Sequence, residues 1–226
     1  MKGKLILVPT PIDENSPLEP VAKDLIINAC NLKNSMFAVE ELKSGRRRWI
    51  HFGLPRENVN DLILFNEHTN QDLTPSFLEE LKSGKDIYLM SDGGLPAFMD
   101  PGLELVRACH KNDIKVTATP FCNSVALALA LSGIFHKRFL FEGSLPVKLE
   151  ERERKMKELI NFKGTVVLLD TPYRLKKTLE DLANLSRNIF LAMDLNCSTQ
   201  ELMFGTVAQV MGKIKNFKRE FILIIE

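Results

Sequence analysis

The stretch SDGGLPAFMDPG, residues 91–102, places two aspartates, three glycines and two prolines directly after an apolar run, DIYLM. Gly93 and Gly94 permit positive φ and let the backbone come close to a ligand. Asp92, just past the end of the run, is a carboxylate that can accept hydrogen bonds from a ligand amine or hydroxyls. Asp100 followed by Pro101 has the form of a helix cap and a first-turn proline, which would bring the free N–H groups of a helix to the same place. The same residues would equally suit a plain chain reversal, with Asp92 capping the turn.

Other residues with chemistry to offer are more scattered. Glu40 and Glu41, then Arg46, Arg47, Arg48 and Trp49, follow the run MFAV. Arginines beside an aromatic can grip phosphates and stack on bases; the alternative is a solvated loop. DTPYR at 170–174 puts Tyr173 at another strand end, either to line a pocket or to pack. Arg152, Arg154, Lys155 and Lys157 are interleaved with glutamates, the pattern of a solvated helix face. None of the four histidines stands at a spacing that pairs it with a nucleophilic Ser or Cys. The four cysteines form no CxxC pair and have no histidine at ligand spacing, so they read as reduced thiols, and no metal site is expected. No Gly-Lys-Ser/Thr loop and no GxGxxG after the first strand is present, and the first loop, Pro9-Thr10-Pro11, is apolar. The expected ligand is therefore not a nucleotide held by its phosphates.

Alternating strand and helix patterns must position these residues. Apolar runs at 5–8, 36–39, 61–65, 86–90 and 114–118 read as strands, separated by helical periodicity such as Ala22, Leu25, Ile26 and Ala29. A helix is expected to start at Thr74-Pro75 and to stop at Gly84. Near residue 120 the pattern restarts. The fold class expected is α/β, with a mostly parallel sheet in an N-terminal lobe, residues 1–119, and a second α/β lobe, residues 120–226. One continuous sheet is the rival arrangement. The loops 9–13, 91–102 and 120–124 would all leave the C-terminal ends of strands, where open α/β sheets bind ligands. With 45% hydrophobic and 26% charged residues and a net charge of +1, the chain is of ordinary globular composition and carries no global field toward nucleic acid or membrane. No leader and no span of bilayer length is read in it, so a cytoplasmic protein without membrane contact is expected.

Taken in order, these loops resemble the tetrapyrrole methylase superfamily of S-adenosylmethionine-dependent methyltransferases. Within it the sequence is most similar to the bacterial 16S ribosomal RNA 2′-O-ribose (cytidine) methyltransferase branch. VPTPID at 8–13 stands for that branch's ATPIGN-like loop, and residues 91–102 for SDAGTPxxSDPG. Residues 120–124 with Ser132-Gly133 stand for PGPSA…SG, 139–146 for FxFxGFLP, and 169–174 for YESPHR. The resemblance implies two lobes with S-adenosylmethionine folded in a cleft between them, and a homodimer. By position, the cofactor contacts would be Thr10, Pro11, Ile12, Asp92, Gly93, Leu95, Phe121, Cys122, Ser124, Leu169 and Met193.

The departures fall on the acceptor side. The branch's AEDTRxTR reads VEELKSGR at 39–46, which keeps Glu40 and Arg46; its RELTK reads MDLNC at 193–197, with Cys197 in place of lysine. Phe121 and Cys122 replace Gly-Pro, and the chain ends where many relatives would continue. The implied activity is methyl transfer to a ribose 2′-hydroxyl of ribosomal RNA, with ribosomal RNA or the small ribosomal subunit as partner. Glu40 would act as proton acceptor and Arg46 would grip a phosphate. A tetrapyrrole or other small-molecule acceptor, and a non-catalytic S-adenosylmethionine-binding paralogue, are the alternatives.

Overall fold

A computed structural model describes residues 1–32, 34–121 and 123–226. The chain divides into two compact units, Met1–Phe121 and Cys122–Glu226.

The first unit runs β1 (Lys4–Val8), α1 (Pro20–Cys30), β2 (Ser35–Val39), α2 (Leu42–His51), β3 (Ile63–Leu64), α3 (Asn70–Ser83), β4 (Asp86–Met90), α4 (Leu103–Lys111) and β5 (Lys115–Ala118). Its strands form one sheet in the order β3-β2-β4-β1-β5, with every described pairing parallel. Strand alternation sorts the apolar side chains to two faces. Ile6, Val8, Phe37, Val39, Tyr88 and Met90 pack with α1 and α2 on one face. Leu5, Ala38, Ile87 and Leu89 pack with α3 and α4 on the other. The chain leaves β1 toward β2 on one side and leaves β4 toward β5 on the other, so a topological switch point lies between β1 and β4.

Two local expectations are corrected here. Helix α3 starts at Asn70, not at Thr74, because Asn66 Oδ1 accepts from the N–H groups of His68 and Thr69 and turns the chain earlier. Pro75 lies inside that helix, which ends at Gly84 in the left-handed region, φ 105°. Helix α4 is capped by Gly102, φ 128°, and not by Asp100. A Cβ on Gly102 would meet Leu89 Cδ2 at 2.8 Å, so both the conformation and the close approach require glycine there.

The second unit runs α5 (Ser124–Ser132), β6 (Phe139–Gly143), α6 (Leu149–Asn161), β7 (Thr165–Asp170), α7 (Leu175–Asp181), β8 (Ile189–Met193), β9 (Glu201–Gly205), α8 (Val207–Met211) and β10 (Phe221–Ile225). Its sheet has the order β6-β7-β10-β8-β9, parallel only between β6 and β7. Two separate sheets thus replace the single continuous one. Met156, Leu159, Leu175, Leu179, Val207 and Val210 close one face around Val166, Leu168, Leu191, Met193 and Leu223. Arg152 is not on a solvated face: it is 5% exposed, with Nε donating to Asp181 Oδ2 at 2.6 Å and Nη2 to Thr178 Oγ1 at 3.0 Å.

Candidate functional site

The loops after β1 and β4 emerge side by side at the switch point, and the backbone clasps them together. Thr10 N–H donates to Gly94 O at 3.0 Å and Gly94 N–H to Thr10 O at 2.9 Å, an isolated antiparallel bridge. Thr10 Oγ1 donates to Ser91 O at 3.0 Å, and Ser91 Oγ to Gly94 O at 2.8 Å. Gly94 sits at φ 104° with nothing within 4 Å of where a Cβ would stand, so the loop opens onto free space at that point. Ala97 and Met99 also hold positive φ, 63° and 67°, and Ala97 N–H closes the loop on Pro101 O at 3.2 Å. Non-glycine residues in this region carry backbone strain, which tends to gather at ligand loops.

Carboxylates converge beside the clasp. Glu40, the first residue past β2, accepts from Asp92 N–H at 3.3 Å, and Ser44 Oγ donates to Asp92 Oδ2 at 2.6 Å. Burial raises the Glu40 pKa; the bond from the Asp92 N–H opposes that and the charges of Asp92 and Glu67 add to it. Burial, then the charges of Glu40 and Asp92, push the Asp100 carboxyl up to about 7. A carboxyl with a raised pKa is a competent proton acceptor near neutrality.

The arginine run turns out to lie on α2, not in a loop. Arg46 and Arg47 are exposed, and Arg47 pairs with Glu14 at 2.8 Å. Arg48 and Trp49 are buried, 4% and 0% exposed. Arg48 Nη2 donates to Pro11 O, its guanidinium lies 5.3 Å over the Phe52 ring, and burial lowers its pKa. Trp49 Nε1 donates to Pro55 O at 2.7 Å and its ring packs edge-on against Phe37, so it does not offer a stacking face.

The first unit therefore gathers Thr10, Pro11, Ile12, Glu40, Asp92, Gly93 and Leu95 at the C-terminal edge of its sheet, with Phe121 following β5. Arg46 is on α2 and exposed. In the second unit, Ser124 opens α5, whose first turn is capped by Asn123 Oδ1 accepting from Ala126 N–H at 3.1 Å. Leu169 is half-buried in β7, and the Met193 side chain is packed into the core of its unit. Cys122 lies outside the described residues. Reading the sequence missed Ser44 and Thr119, and took Arg48 for part of a phosphate-gripping or solvated run, where the structure buries it. Only Thr119 carried a signal, as the polar residue next to the Pro120 loop.

The first unit's edge suits a ligand without phosphates. Prolines occupy the first loop where a phosphate cradle needs N–H donors, and Thr119 Oγ1, at the end of β5, is buried without a hydrogen-bond partner. Among the described residues no group of three His, Cys, Asp or Glu side chains is placed to hold a metal ion.

The family model described as Tetrapyrrole (Corrin/Porphyrin) Methylases matches residues 49–211. A relative named Ribosomal RNA small subunit methyltransferase I, from Halalkalibacterium halodurans, is 31% identical over 100% of this chain and 76% of its own length. A diphthine synthase structure superposes with a TM-score of 0.68 at 9% identity, covering 98% of this chain and 88% of its own. The uroporphyrin-III C-methyl transferase of Thermus thermophilus, solved with S-adenyl homocysteine, gives 0.58 at 15%, covering 99% and 97%. At such low identities the two structures speak for the fold alone. The chain belongs to the tetrapyrrole methylase family. It is a methyltransferase that takes its methyl group from S-adenosylmethionine. Among the described residues no helix is long and apolar enough to cross a membrane.

Proposed function

We propose that the protein methylates a ribose 2′-hydroxyl of small-subunit ribosomal RNA. The observation that carries this acceptor is the 31% identity to a ribosomal RNA small subunit methyltransferase I across the whole of this chain. S-adenosylmethionine supplies a methyl group already activated by its positive sulfur, so the protein has mainly to align acceptor and donor and to exclude water. The clasped loops at Thr10 and Gly94 would hold the donor, with Asp92 accepting hydrogen bonds from it. Glu40, its pKa raised by burial, would take the proton as the hydroxyl oxygen attacks the methyl carbon and the methyl–sulfur bond breaks, with S-adenosylhomocysteine as the leaving group. Arg46, exposed on α2, would hold a phosphate of the RNA.

The enzyme would act in the cytoplasm as a homodimer. Leu202 and Phe204, exposed on the edge strand β9, support the dimer by offering apolar surface on an open sheet edge. Light scattering at micromolar concentration tests it, and the mass of one chain would end it. The activity is tested by transfer of labelled methyl from S-adenosylmethionine to small ribosomal subunits from a strain lacking the gene. Label at a single ribose is expected. No label in RNA, with label in a small-molecule fraction, would replace the acceptor.

A further inference from the structure

Helix α2 reaches both ligand loops with two side chains, Ser44 and Arg48. Glu41 starts the helix, its carboxylate accepting from Ser44 N–H at 2.6 Å. One helical turn then separates Ser44 from Arg48, so the two point along one face toward the sheet edge. Ser44 Oγ lies 2.6 Å from Asp92 Oδ2 and 3.3 Å from Glu41 O. A hydroxyl has one proton to give, and the nearer carboxylate oxygen takes it. Arg48, on the next turn, gives Nη2 to Pro11 O in the other loop while its guanidinium lies over the Phe52 ring. The helix can come this close because residue 45 is glycine: a Cβ there would stand 2.8 Å from Val39 Cβ.

We propose that Ser44 and Arg48 are positioning residues, which brace α2 against the two loops and hold the Asp92 carboxylate and the Pro11 carbonyl in the orientation that receives S-adenosylmethionine. The Asp92 carboxylate can turn about its own side-chain bonds, and the neighbouring Gly93 leaves its backbone loose. Glu40 fixes its N–H and Ser44 fixes one of its oxygens, so the other oxygen faces the ligand without an entropic cost at binding. The proposal rests on the reading that the 91–102 loop holds the cofactor.

Binding of S-adenosylhomocysteine to the full chain, followed by calorimetry, tests it. Ser44→Ala should weaken binding about tenfold, the order of a hydrogen bond to a charged group, and Ser44→Thr should restore most of it. Asp92→Ala should weaken binding at least as much, and adding Ser44→Ala to it should cost nothing further, because the brace then has nothing to hold. Arg48→Lys, too short to keep both the Pro11 bond and the Phe52 contact, should also weaken binding; if it does not fold, the Ser44 series decides alone. Parent affinity in folded Ser44→Ala, with Asp92→Ala impaired, overturns the brace and leaves the loop reading intact. Additive losses in the double variant overturn it as well. Parent affinity in Asp92→Ala removes the loop reading and the brace together.

Discussion

Arg46→Ala combined with Arg47→Ala removes the exposed cations of α2 and leaves its buried face alone. Arg48 must be kept, because its guanidinium is structural, 4% exposed and bonded to Pro11 O. Arg47 is tied to Glu14, but both side chains are more than half exposed, and such pairs are weak enough for a phosphate to displace. If each arginine meets one phosphate of a single-stranded target, the double variant should lower the slope of log affinity against log salt by about 1.4. Between 50 and 200 mM salt the variant would then lose about sevenfold less affinity than the parent does. Filter binding of a small-subunit RNA fragment at four or five salt concentrations measures this, with S-adenosylhomocysteine affinity as the control for an intact site. An unchanged slope with weakened or equal binding would refute the assignment of this helix face to RNA. A collapse of S-adenosylhomocysteine affinity would mean that the exposed arginines also hold α2 in place.

Asp100, its carboxyl pushed to about 7 by burial and by Glu40 and Asp92, has a folded-state pKa above its ordinary 3.8, so its protonated form favours folding. Its contribution is whole below pH 3.8 and is lost as the pH climbs to about 7; Asp100→Asn should raise urea stability at pH 8 and change it little at pH 4. Asp181→Ala strands the buried Arg152 guanidinium and should destabilise the protein by about 3 kcal/mol, near the low end for a broken buried pair because Thr178 still takes one N–H. Burial opposes ionisation of Asp181, but bonds from Lys177 and Arg152 outweigh it and lower its pKa, so its contribution stands above pH 3.8 and fades as the pH falls through the lowered value. Gly45→Ala gains helix propensity but drives a Cβ into Val39; the overlap should win, for a net loss of about 1 kcal/mol, and an increase in urea midpoint would show that Val39 moves aside freely.

What sequence alone determined was whatever depends on short range. The runs at 5–8 and 86–90 are strands because apolar residues recur there between turn residues. The 91–102 loop is special because glycine and proline restrict or free a backbone regardless of surroundings. The stop of α3 at Gly84 and of α5 at Gly133 belongs to the same class, each glycine being left-handed, φ 105° and 67°. Even the relation of the loops was legible in part, since parallel strands put their C-terminal ends on one edge. What only tertiary structure decided was the fate of charged and edge residues. VEELKSGRRRW reads as a polar segment because its apolar positions are few, yet α2 forms there: its glycine lets it lie against Val39, and the sheet buries Trp49 and the stem of Arg48. Arg152 sits among glutamates in sequence and is buried in space, because Asp181 reaches it from 29 residues away. Strand β9, ELMFG, was missed because it lies at the sheet edge, where Leu202 and Phe204 remain exposed and the pairing with β8 alone makes it a strand. Asp92 was visible as a carboxylate at a strand end, but the partners that aim it, Glu40 and Ser44, come from a strand end and a helix about fifty residues earlier. No local pattern encodes a hydrogen bond made across such a separation.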